Sequence, residues 1–85
     1  MQVSGVALLV PKSDGKAMLE VAGRQMFELN PVAVIIWEKL AAGLATQEII
    51  RQLVARFEIP EEQAADDVTN FIEILKQHML VNEET

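Results

Sequence analysis

The stretch Gln25-Met26-Phe27-Glu28-Leu29-Asn30-Pro31-Val32-Ala33-Val34-Ile35-Ile36-Trp37-Glu38-Lys39-Leu40-Ala41-Ala42-Gly43 changes its backbone period partway along. From Gln25 to Leu29 the pattern is that of a strand, with Phe27 and Leu29 on one face and Met26 and Glu28 on the other. Asn30 is a natural helix N-cap, and Pro31 suits the first helical position, where a missing N–H costs nothing. Beyond it Val34, Ile35, Trp37, Leu40 and Ala41 recur at helical spacing, and Gly43 ends the helix. A strand therefore hands over to a helix at Asn30-Pro31, which divides the chain into a β half and a helical half.

Working back from Gln25, Gly23-Arg24 is a tight connection to a short extended run, Ala17–Ala22. Pro11-Lys12-Ser13-Asp14-Gly15-Lys16 supplies turn chemistry before that, because Asp14-Gly15 tolerates positive φ. Val3–Val10 is apolar and rich in β-branched residues, and is read as one first strand. Working forward, Thr46 is expected to cap a second helix, Gln47–Phe57, whose stripe is Ile49, Ile50, Leu53, Val54 and Phe57. Pro60 opens a third helix, with Glu61 and Glu62 in the first turn, where the helix dipole favours anions. That helix is expected to run to about Met79 along Val68, Ile72, Leu75 and Met79, flanked by Ala64 and Phe71. Leu80 and Val81 should tuck under the core, and 82–85 should fray. The order β-β-β-α-α-α predicts one α+β domain over 1–85. It is winged-helix-like, a three-stranded antiparallel sheet followed by three helices: a β-meander over 1–30 and a three-helix part over 31–81.

Composition narrows the chemistry. The 85 residues contain no cysteine, so disulfides, thiolate ligands and a cysteine nucleophile are excluded together. His78 is the single histidine and has no second histidine or cysteine to complete a zinc site. No nucleophile–base pair is visible, so no catalytic residue, metal or cofactor is expected. No apolar run approaches the roughly 20 residues that span a bilayer, and the start lacks the pattern of a signal peptide. A cytoplasmic location without membrane contact is the expectation. The net charge of −6 argues against nucleic acid as a partner, since binding to phosphate rests on a basic patch and the seven basic residues here are scattered. The same acidity serves solubility, or steers a basic partner.

Three features point to binding instead. In a three-stranded meander the third strand is an edge, and Gln25–Leu29 carries only Glu28 as a charge and no proline. An unprotected edge is a template for another strand. The third helix is apolar over more than one seam, because Ala64, Phe71, Ile74 and His78 widen its stripe to one side. Such a helix is either a fully buried closing helix or one that contacts its own core and something laid alongside. Asp67 lies about 100° around the helix from Val68, at the border of the stripe, where a carboxylate can receive a backbone N–H or a basic side chain. The denser group Glu61, Glu62 and Asp66 reads as an acidic helix start, without the glycine-bearing loop of a calcium site. Trp37 reads as core.

With these elements placed, the chain resembles the PqqD-like family from about Met26 to its carboxyl end. The matching residues are Phe27-Glu28-Leu29-Asn30-Pro31, Ile36-Trp37-Glu38-Lys39-Leu40, Gly43, Thr46-Gln47-Glu48-Ile49-Ile50, Leu53 and Phe57-Glu58-Ile59. They continue through Asp67-Val68, Phe71-Ile72, Leu75 and Met79-Leu80-Val81. The resemblance implies a non-catalytic recognition element that binds the leader region of a ribosomally made precursor peptide. It would present that leader to a maturation enzyme, a leader peptidase or a radical-SAM enzyme. The short chain with Ile36-Trp37-Glu38 looks most like the stand-alone leader-binding proteins of lasso-peptide pathways. In the family the leader adds as a strand to the third strand and lies against the third helix. Carried over, the strand contacts are Gln25, Met26, Phe27 and Glu28, and the groove contacts are Ala64, Asp67, Phe71, Ile74 and His78. The family often has glycine just before the closing leucine, where this chain has His78-Met79-Leu80. Two other readings stand beside this one. A winged-helix nucleic-acid binder or transcription-regulatory domain would present Gln47, Glu48, Arg51, Gln52 and Arg56 of the second helix. An oligomerisation domain would pair the third strand with a copy of itself, so a monomer or weak homodimer is expected.

Overall fold

The computed structural model describes residues 2–82. The elements run β1 (Gln2–Val3), β2 (Ala7–Pro11), β3 (Ala17–Val21), β4 (Arg24–Leu29), α1 (Pro31–Ala41), α2 (Thr46–Phe57), α3 (Glu61–Gln77) and β5 (Val81–Asn82). Strands β2, β3 and β4 form the expected antiparallel meander in that spatial order. Asp14 and Gly15 (φ 60° and 77°) carry one turn, and Ala22 and Gly23 (φ 52° and 82°) carry the other. Positive φ at both central residues matches the right-handed twist of the flanking strands.

The first strand departs from expectation. Val3–Val10 is two strands, because the chain turns at Ser4-Gly5-Val6. The Ser4 hydroxyl oxygen accepts from the Val6 N–H at 3.3 Å, and the Ser4 carbonyl accepts from the Ala7 N–H at 3.3 Å. A local side-chain acceptor has thus displaced ladder pairing, as serine commonly does. The severed piece, β1, pairs antiparallel with β5, Val3 opposite Val81 and Gln2 opposite Asn82. Asn82 is therefore a paired residue, contrary to the expected fraying; 83–85 lie outside the described residues.

The helices pack on one face of the meander. The core joins Leu19 and Leu29 of the sheet to Ile36, Trp37 and Leu40 of α1, Ile49 and Leu53 of α2, and Val68, Phe71, Ile72 and Leu75 of α3. Leu80 and Val81 close it from below, buried as expected. Leucine-to-alanine changes at such fully enclosed positions cost about 2–5 kcal/mol, a large share of a small domain's stability. In α1 the buried side is Ile36, Trp37 and Leu40, while Ala41, assigned to the stripe from sequence, is exposed.

The helix ends carry the local chemistry. Asn30 caps α1, its Oδ1 accepting from the Ala33 N–H at 2.8 Å. Gly43 (φ 87°) closes α1 as expected, its N–H donating to Leu40 and the Leu44 N–H to Lys39. Thr46 does not cap α2. It is the first helical residue, and the cap position is Ala45, which makes no side-chain bond. The Glu48 and Ile49 N–H groups both reach the Ala45 carbonyl, so the first turn starts one residue earlier than the threonine suggests. Nor does α3 reach Met79. It ends at Gln77, with His78 as C-cap and Met79 in the left-handed region at φ 58°. Met79 donates its N–H to the Lys76 carbonyl and Leu80 to the Leu75 carbonyl, the paired bonds of a Schellman motif with Leu80 folded onto the core. Met79 is consequently 87 % exposed and no part of the apolar stripe.

Candidate functional site

An open groove of about 420 Å³ lies between α1 and α3. Val32, Ala33 and Ile36 form its α1 wall, and Phe71, Ile74 and Asp67 its α3 wall, with Asn30 and Gln63 contributing amides. Asp67, Phe71 and Ile74 stand at i, i+4 and i+7 on α3, so one helical face presents a carboxylate and two apolar side chains together. Phe71 is nearly enclosed at 9 % exposure and belongs to the core, whereas Ile74 is 41 % exposed. Asp67 is half-buried and is, among the described residues, the one charged side chain lining the groove. A groove that sets apolar side chains beside two amides and a carboxylate suits an apolar side chain followed by an N–H donor or a cation.

The remaining sequence-derived positions fall in three places. His78 sits one turn beyond Ile74, and its ring meets Phe27 of β4 edge to face, with centroids 4.9 Å apart. That contact joins the α3 end of the groove to the strand edge. Gln25, Met26 and Glu28 are exposed on β4, which pairs with β3 on one side and with no strand on the other among the described residues. Ala64 has no exposed surface and is enclosed in the core, where a ligand does not reach it.

β4 also carries a bulge. Leu19 faces Phe27 and Glu20 faces Gln25, which leaves Met26 without a partner on β3. Bulges bend an edge, protect it against indiscriminate pairing and re-aim side chains beside functional sites. Met26, 41 % exposed, is the side chain so placed.

The α1 wall was not foreseen. Pro31 to Trp37 is apolar on nearly every side, so periodicity could not show which flank of the helix was left open. The rest of the surface holds little chemistry. No group of three or more His, Cys, Asp or Glu among the described residues could hold a metal ion, and no described helix is long and apolar enough to cross a membrane. On α2 the exposed Arg51 pairs with Glu48 at 3.2 Å, so that helix offers no continuous basic face.

Comparison with known proteins adds the following. The model for Coenzyme PQQ synthesis protein D (PqqD) matches residues 15–81. Two solved structures are similar in fold. One, described as "TbiB1 in Complex with the TbiA(beta) Leader Peptide", has TM-score 0.81 and 22 % identity, and covers 100 % of this chain and 99 % of that one. The other, "Lasso peptide synthetase B1 complexed with the leader peptide", has TM-score 0.78 and 18 % identity, and covers 96 % of each chain. No curated protein matches.

Proposed function

The chain belongs to the PqqD family, and from that premise we propose that it is a non-catalytic recognition element for the leader of a ribosomally made precursor peptide. The observation that carries this reading is the adjacency of an open, partly apolar groove, an edge strand and the His78–Phe27 contact between them. A peptide strand added to β4 gains main-chain hydrogen bonds that set its register, and its alternate side chains reach the groove. Ile74 and Phe71 bury an apolar anchor, and Asp67 receives a donor beside it. Met26 and Glu28 contact the strand's outer face. Both solved relatives are described as leader-peptide complexes, which supports the assignment of partner. The element holds the leader in the cytoplasm for a maturation enzyme, a leader peptidase or a radical-SAM enzyme. Self-pairing through β4 would compete with the leader, so the bound form is monomeric at that edge.

Ile74 and Asp67 are the informative positions, because Phe71→Ala also opens the core. In titration calorimetry with the cognate leader, Ile74→Ala and Asp67→Asn should each weaken binding about five- to tenfold, on the order of 1 kcal/mol. Hydrogen exchange should show alternate amides of Gln25–Glu28 protected on binding, with those of the opposite edge β2 unaffected. Unchanged affinity in both variants, together with unchanged exchange in β4, would overturn this placement.

A further inference from the structure

α1 separates two grooves. Its Val32, Ala33 and Ile36 wall the peptide groove, while Ile35 and Lys39, one turn apart on another flank, line a second groove with Gln52, Ala55 and Arg56 of α2. This second groove has a volume of about 290 Å³. Its lining pairs apolar surface, from Ile35 and Ala55, with two cations, Lys39 and Arg56, and includes no carboxylate among the described residues. Such a lining is unusual for this chain, which has 13 acidic residues against 7 basic ones. Neither cation has a carboxylate within ion-pair distance among the described residues, whereas nearby Arg51 is paired with Glu48. Arg56 rests its guanidinium 6.0 Å from the Phe57 ring centroid, the outer limit of a cation–π contact, which favours one orientation of its head.

We propose that the α1–α2 groove docks an acidic protein segment, an apolar side chain flanked by carboxylates, carried by the enzyme that acts on the peptide held in the first groove. This rests on the leader-recognition reading above. The apolar pair supplies burial, and the two cations set orientation and association rate, as exposed charges at an interface do. The net charge of −6 strengthens the argument. An acidic segment is repelled by most of the surface, and within a Debye length of about 8–10 Å it meets local attraction at this groove. A nucleic acid fits less well, because the groove has no aromatic side chain for base stacking and no basic track for a backbone. Because α1 carries both walls, an enzyme docked on one flank stands beside the leader held on the other.

The probe is a labelled, end-blocked peptide, Glu-Glu-Leu-Leu-Glu-Glu, with a control in which glutamine replaces every glutamate. Amide shift mapping on the full chain should place the acidic peptide at Ile35, Lys39, Gln52, Ala55 and Arg56. Lys39→Glu with Arg56→Glu should weaken its binding about tenfold or more while keeping leader affinity within about twofold. Dispersed amide spectra of the double variant establish that it folds. The proposal falls if the glutamine control binds equally, if the shifts appear at Asp67 and Ile74 or nowhere, or if single-stranded DNA displaces the peptide. Failure of the leader to bind, with the acidic peptide still mapped to these residues, would remove the leader reading and leave the docking groove in place.

Discussion

The rings of Phe27 and His78 meet edge to face, with centroids 4.9 Å apart and planes at 79°. One ring belongs to the edge strand and the other to the residue that caps α3. The contact therefore joins the two elements on either side of the proposed peptide path.

Aromatic pairs of this geometry contribute about 0.5–1.5 kcal/mol beyond their area, and exposure of His78 places this one at the lower end. A double-mutant cycle of Phe27→Leu and His78→Ala, read by urea unfolding, should show coupling of about 0.5 kcal/mol. Strict additivity would mean that the contact holds nothing together.

Met79 occupies the left-handed position after α3 with its side chain in solvent. A non-glycine residue there costs about 1–2 kcal/mol, part of which glycine returns through its more flexible unfolded chain. Met79→Gly should stabilise the fold by about 0.5–1 kcal/mol, raising the thermal midpoint by a few degrees. Met79→Ala keeps the strained backbone and should show no such gain. Equal midpoints for the two variants would contradict this account.

Asn30 ends the edge strand's half of the chain and starts α1 through its bond to the Ala33 N–H. Asn30→Ala should lower stability by about 1 kcal/mol, and Asn30→Asp should largely restore it. The aspartate variant also places a second carboxylate on the groove lined by Asp67. It should therefore bind a leader with a basic residue at that position more tightly at low salt than at high salt. Chemical denaturation checks the first expectation and salt-dependent titration the second.

Much of the molecule is legible in the chain alone. Asn30-Pro31 marks the switch from strand to helix because a cap and a fixed φ act within a few residues. The Asp14-Gly15 turn, the stop at Gly43 and the acidic start of α3 are local in the same sense, whereas the second turn falls one residue earlier than read, at Ala22-Gly23, with Arg24 already in β4. The candidate site was legible in part. Asp67, Phe71 and Ile74 share one helical face by spacing alone, and they share the groove.

The misreadings came where non-local contacts decided the outcome. Val3–Val10 has strand composition throughout, but Ser4 turned it, and Val3 found Val81 at the far end of the chain. Met79 fits an apolar period, but burying Leu80 requires the helix to end first, so Met79 points to solvent. Ala64 lies on the widened side of α3, yet helix packing encloses it.

The sequence by itself determined the order of the three-stranded meander and the three helices, because periodicity, caps and residue types are properties of short stretches. Only the tertiary structure decided how the all-round apolar α1 divides its surface between the core, the Asp67–Ile74 groove and the Lys39–Arg56 groove. That division depends on where α2 and α3 come to rest against it, and no local pattern in the chain carries that information.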